Sequence, residues 1–301
     1  MKHGIALSVA SSILFATMYF YATLMQPFDG DLVFAWRVLM GLPMMALVVH
    51  RMRGWPQLRA TAHQFRHGRF LLLMLVCSGL MGIQLWLFVW APLHGYALDV
   101  STGYFLLPLM MVLAGRLVYG ERLSRWQAWA VAFALLGVAH ETWRVGSVSW
   151  ATALVALGYP PYFMLRRRLQ VDALSGLWFD MLFLLPVAVF VLQSQATAVG
   201  HIFAAHPRMF LQVPLLGLLS AVSLSMYLAA SRIIPLSLFG LLGYVEPVLL
   251  FWVAFLLMGE PVSPAQWLTY GPIWLAIVLV AIEGAQKWRA EARQRMQQRK
   301  G

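Results

Sequence analysis

Three ionisable residues, Arg37, Asp180 and Glu246, stand inside long apolar runs, where a charge is expensive unless it meets a cavity, a partner or water. Arg37 lies six residues into its run, and a guanidinium there can bind a carboxylate or phosphate oxygen of a solute bidentately. The plain alternative is snorkelling, with the guanidinium reaching head groups or Asp29 and Asp31. Asp180 can take an amine or a coupling proton, or simply pair with a neighbouring arginine. Glu246 lies about midway along its run, after Gly243-Tyr244 and before Pro247. Gly and Pro free backbone groups, and irregular backbone at membrane depth is tolerated where it is packed in protein or lines a wet cavity. Glu246 is therefore a candidate for a proton-linked or cation-binding residue; otherwise it is a neutral acid hydrogen-bonded between helices. Gln84, Trp86, Trp90, Tyr104, Tyr159, Trp178 and Tyr244 are candidates for the cavity lining, the aromatics suiting an amphipathic or cationic solute. Trp and Tyr also serve as interface anchors.

The elements that must position these residues are membrane helices. Of 301 residues, 61% are hydrophobic and 11% charged, against about 25% charged in soluble domains. The net charge of +11 comes from short basic bursts between apolar runs, a membrane protein's distribution rather than that of a nucleic-acid binder. Cys77 is the only cysteine, so no disulfide framework, CxxC motif or cysteine metal site exists; neither metal nor cofactor is expected. The first apolar stretch resembles a signal peptide in outline but lacks a small-x-small cleavage site, and is expected to remain as the first span.

Spans of about 20 apolar residues are predicted near 5–25, 32–49, 70–91, 98–119, 126–142, 147–165, 176–194, 209–230, 236–258 and 265–284. With the N-terminus inside, 19 of the 22 Lys and Arg fall in cytoplasmic segments or adjacent helix ends. That bias predicts an all-α polytopic protein of ten spans with both termini cytoplasmic. The basic tail after Gln286 is expected to lie near anionic lipid.

A shift of 139 residues places Phe105–Ala128 beside Tyr244–Trp267. Pro108 then meets Pro247, Gly120 meets Gly259, Glu121 meets Glu260, Ser124 meets Ser263 and Gln127 meets Gln266. Arg116, Arg122 and Arg125 of the first copy become Phe255, Pro261 and Pro264 in the second, as expected if the copies face opposite sides of the membrane. This predicts two inverted five-helix units, 1–143 and 144–285, followed by the tail 286–301. Inverted units of this kind rock around a central site in many secondary transporters. The bland role for Glu121 and Glu260 is a carboxylate near a helix N-terminus, favoured by the dipole.

Gly103-Tyr-Phe-Leu-Leu-Pro108 through Gly120-Glu-Arg-Leu, Trp90-Ala, the Asp31 to Arg37 spacing, and Phe179-Asp180 with Leu184-Leu-Pro-Val187 resemble the RarD-like branch of the EamA transporters, in the drug/metabolite transporter superfamily. The resemblance covers nearly the whole chain. It implies ten helices, a bacterial inner-membrane location and movement of small metabolites or drugs, often outward. The chain departs from the branch at Trp36, Gln84 and Leu107, where the branch carries His, Asn and Asn, and polar groups facing a cavity choose the substrate.

The expected function is secondary transport of a small organic solute, such as an amino acid or amphipathic drug, with protons as a possible partner. The alternative is a non-transporting assembly or regulatory subunit. His140-Glu141-Thr-Trp-Arg144 begins like a zincin motif but lacks the second His. Neither a Walker A sequence nor a GxSxG elbow is present, so no enzyme is expected.

Overall fold

The computed structural model describes residues 2–91, 96–146, 149–249, 252 and 264–298. Gly259 and Glu260 lie outside the described residues. Among the described residues the main helices follow in order: α1 (Lys2–Thr23), α2 (Gly30–Arg51), α3 (Trp55–Gln64), α4 (Gly68–Trp90), α5 (Ala97–Tyr119), α6 (Arg125–Val145), α7 (Trp150–Leu169), α8 (Ala173–Ser194), α9 (Ala196–Ala205), α10 (Met209–Ile233), α11 (Leu236–Leu242) and α12 (Pro264–Gln298). No strand occurs among the described residues. By length and composition, six helices among the described residues contain a stretch able to cross a membrane: 30–51, 68–90, 102–119, 173–194, 209–233 and 267–284. Large apolar side chains cover the periphery, with Leu211 76% and Leu117 73% exposed, a surface suited to lipid rather than water.

Local chemistry explains the helix ends. Asp29 accepts from Leu32 N–H at 2.8 Å and Asp172 from Ser175 N–H at 2.8 Å, N-capping α2 and α8. Gly120, in the left-handed region at φ 62°, ends α5. Ser124 and Gln127 then form a reciprocal capping box that starts α6. The Gly-Glu…Ser-x-x-Gln motif is thus a helix stop followed by a helix start. Asp99 does not cap α5, contrary to the simplest reading of its position; the cap is Tyr96, and Asp99 lies in the first turn.

The helices approach closely through small residues. A methyl added at Gly103 of α5 would sit 2.7 Å from Val155 Cβ of α7, and one at Gly240 of α11 would sit 2.7 Å from Pro108 O of α5. The main packings are α1 and α2 on α10, α2 on α8, α5 on α7 and α11, and α6 on α12. His140 and Glu141, the residues of the incomplete zincin pattern, both reach Thr269 Oγ1 of α12, at 2.9 and 2.8 Å. Glu141 also binds Arg144 at 2.5 Å. They join two helices.

Helices α2 and α8 share a design. Each has 22 residues, an N-cap Asp, an ionisable residue at its eighth position (Arg37, Asp180) and a Pro six residues later (Pro43, Pro186). They start at opposite ends of the bundle. The start of α2 lies with the end of α4 through the Asp31–Trp86 bond, whereas the Asp180 turn of α8 lies beside Arg166 near the end of α7. Two short helices, α3 and α9, were not predicted. Each has ten residues, too few to span, so a search for spans passes over them. α3 is held by aromatic contacts to α8, Trp55 on Trp178 and Phe65 on Phe179, with centroids 5.9 and 4.6 Å apart.

Candidate functional site

Arg37 occupies the third turn of α2, about 10 Å along the helix from Gly30, and is 4% exposed. Its Nε donates to Ser220 Oγ of α10 at a long 3.4 Å, and its Cζ lies 6.0 Å from the Phe88 ring centroid. Neither nearby acid reaches it: Asp29 caps the helix, and Asp31 accepts the Trp86 indole N–H at 3.0 Å. Among the described residues Arg37 has no acidic partner. Its electrostatic neighbours are the hydroxyls of Tyr104 and Tyr159, on rings 6.3 Å apart.

Glu246 lies near the same tyrosines. The helix that begins as α11 is interrupted by a turn at Gly243-Tyr244 and resumes at Val245, so Glu246 follows directly on irregular backbone. It is half-buried and has no hydrogen bond or ion pair among the described residues. Tyr104, Tyr159 and Tyr227 all lie within electrostatic reach of its carboxylate. Four helices and the interrupted segment thus bring a guanidinium and a carboxylate near one group of tyrosines. Phe163 and Phe239 continue that group, stacked on Tyr159 at 6.1 Å and tilted against Tyr227 at 4.7 Å.

The other residues singled out by sequence separate into groups. Trp86 and Trp90, 4.8 Å apart, join Tyr96 and Trp150 in an aromatic cluster at the α2-start end. Gln84 is buried; its Nε2 donates to Leu154 O at 2.7 Å while its Oε1 has no partner. Trp178 stands apart, packed on Trp55 of α3. Tyr244 is fully buried and donates to Phe105 O at 3.0 Å. These two residues are 139 positions apart, the shift of the sequence repeat, so equivalent positions meet face to face.

Asp180 differs from Arg37 in being fully partnered. It is 0% exposed, accepts from Ser78 Oγ at 2.8 Å and Tyr162 Oη at 2.9 Å, and pairs with Arg166 at 3.4 Å. Arg166, in the last turn of α7, is itself 5% exposed. Arg37 and Asp180 each contact a serine hydroxyl of another helix, Ser220 of α10 and Ser78 of α4.

Glu121 accepts from Leu236 N–H at 2.7 Å, Ser237 N–H at 2.8 Å and Ser237 Oγ at 2.6 Å, capping α11 across a separation of more than 100 residues. Arg167 pairs with it at 3.6 Å and donates to Ser231 O and Ile234 O at the end of α10. Gly115 makes this possible, because a methyl there would meet both Glu121 and Ser237. Pro108 and Pro247 lie in α5 and in the interrupted segment, Pro108 Cγ within 3.6 Å of a methyl built at Gly243. Sequence reading missed Ser78, Ser220, Tyr162, Tyr227 and Arg166. Aligning Asp29, Arg37 and Pro43 on Asp172, Asp180 and Pro186 sets Ser78 on Ala221 and Ser220 on Cys77, so no one-dimensional signal pointed to the serines.

Comparison with known proteins gives one consistent result. The EamA-like transporter family profile matches residues 2–140. A protein of Pseudomonas aeruginosa named "Chloramphenicol-sensitive protein RarD" is 49% identical over 296 residues, covering 96% of this chain and 97% of its own. An uncharacterised transporter of Pasteurella multocida is 38% identical over 94% of this chain and 97% of its own. One solved crystal structure superposes with a TM-score of 0.65 over 92% of this chain and 98% of its own; at 16% identity, this likeness speaks to fold alone.

Proposed function

Because this chain belongs to the RarD-like branch of the EamA-like transporter family, we propose that it moves a small organic solute across the bacterial inner membrane by alternating access, with Arg37 as the solute's oxyanion-binding group. The observation that carries this reading is the state of Arg37: a buried guanidinium with one long serine bond and no acid among the described residues. Keeping such a group inside a membrane protein is costly without a function. An arriving carboxylate or phosphate would supply the missing acceptor in the bidentate geometry that a guanidinium favours.

Tyr104, Tyr159 and Tyr227 supply flat apolar surface with polar tips, suited to an amphipathic solute. Glu246, near the same tyrosines, would take a proton or the solute's cationic group. The interrupted helix beside it is of the kind that lines binding sites in transporters with inverted repeats. In this reading ten spans form two inverted units, 1–143 and 144–285, with both termini cytoplasmic. The matched designs of α2 and α8, their opposite starts and the Tyr244–Phe105 contact support that arrangement. The α2-start end then faces outward, and the Glu121–Arg167 latch is on the cytoplasmic side. The Pseudomonas aeruginosa relative named as chloramphenicol-sensitive brings amphenicols into the range of solutes to examine.

Reconstitution in liposomes tests the proposal, with flux of amino acids, small aromatic acids and amphenicols measured with and without a pH gradient. Flux of at least one solute is expected, with loss in Arg37→Gln. No flux of any solute, or wild-type flux in Arg37→Gln, refutes the assignment.

A further inference from the structure

Arg166 poses a problem that Asp180 does not. The Asp180 carboxylate is held by the hydroxyls of Ser78 and Tyr162 whether or not an arginine is present. The Arg166 guanidinium has five N–H donors, and its contacts are meagre. Nη2 lies 3.4 Å from Asp180 Oδ2 but out of line for a hydrogen bond. Nη1 reaches only the Met74 sulfur, at 3.4 Å, and the Tyr162 ring centroid lies 5.7 Å from Cζ. A buried donor without an acceptor is costly. The site is nonetheless built for the group: the guanidinium lies against the backbone of Gly176, where a methyl would overlap it. The arginine is cradled in position and left short of acceptors.

The Asp180–Ser78 contact resembles the Arg37–Ser220 contact: each joins the ionisable residue at the eighth position of its helix to a serine hydroxyl of another helix. When two inverted units exchange conformations, the surroundings of each site pass to the other. We infer that Arg166 is an inner docking point for the solute's oxyanion: Asp180 holds it in the conformation seen here, and opening of the cytoplasmic half exposes it to the inner aqueous path. A carboxylate or phosphate group then replaces Asp180 as its partner and is passed outward toward Arg37. This inference rests on the transport reading and adds a second station to it.

Cys77, next to Ser78 in sequence, reports on the event. It is the chain's only cysteine, is 0% exposed, and feels the charges of both Arg166 and Asp180. Right-side-out and everted membrane vesicles are treated with anionic and cationic methanethiosulfonates of similar size, in which the Cys77 thiolate displaces sulfinate and forms a mixed disulfide. From the cytoplasmic face, the anionic reagent is expected to react about tenfold faster than the cationic one, because opening presents a positive charge beside the thiol. Benzoate or phenyl phosphate should slow that reaction and benzylamine should not. Arg166→Lys should keep the preference and Arg166→Gln should lose it.

Equal rates for the two reagents, or no modification from either face of the wild-type protein, overturn the inference and leave Arg166–Asp180 as a scaffold pair. Labelling needs no transported solute, so a failed flux assay and a failed labelling assay count against different statements.

Discussion

Arg37→Met separates a ligand-binding arginine from a structural one, because the two roles change stability in opposite directions. An arginine deep in a spanning helix costs about 2.5–3.5 kcal/mol. Little in the protein offsets this. The 3.4 Å bond to Ser220 is near the limit of a hydrogen bond and contributes about 0.5 kcal/mol. The Phe88 ring at 6.0 Å is at the edge of cation–π range, worth about 0.5–1 kcal/mol. Some 1–2.5 kcal/mol of uncompensated cost remains by these figures, and Met removes it while filling much of the same volume. At about 2–4 °C per kcal/mol, thermal unfolding in nanodiscs should move up by roughly 2–10 °C. Binding should move the other way: losing the charge partner of a desolvated oxyanion costs about 2–5 kcal/mol, or roughly 30-fold or more in affinity. A melting temperature several degrees below wild type would show that Arg37 holds the bundle together, and the ligand assignment would fall with it.

Asp180→Asn should act oppositely, leaving Arg166 buried without a counter-charge and lowering stability by about 3–5 kcal/mol; adding Arg166→Met should recover most of the loss in the same thermal assay. Glu121→Gln should weaken the cap on α11 by about 1–2 kcal/mol, seen as faster hydrogen exchange at residues 236–240, while unchanged exchange there would deny Glu121 that role. Glu246→Gln removes no hydrogen bond found among the described residues, so melting should stay near wild type while solute flux loses its dependence on a pH gradient. Persistent gradient dependence would place coupling on another group.

The helices were legible because their causes are local. Apolar length marks the spans, and Asp29, Asp172, Ser124 and Gly120 mark starts and a stop by bonds within a few residues. α1 to α10 begin and end within a few residues of the expected spans wherever a span was expected. The helices α3 and α9 escaped because they answer to neither rule: they are short, and α3 is held by rings on α8. Arg37 and Glu246 were also visible in advance, since a charge in the middle of an apolar run is conspicuous in one dimension.

What a charge does there was not visible. Arg37 and Asp180 looked alike by sequence, each an ion in an apolar run with a possible neighbour of opposite sign. Tertiary structure made one of them unpaired and the other saturated, because Asp31 turned to Trp86 while Ser78, Tyr162 and Arg166 converged on Asp180. Arg166 was hidden in a run of three arginines that reads as an interface anchor; only the bare backbone of Gly176, on another helix, creates the space that takes it inside. Sequence alone therefore determined where the apolar helices run and which residues are expensive to bury. Which of those residues is left with an unfilled valence, and so can bind something else, was decided by side chains that meet across more than a hundred residues of chain.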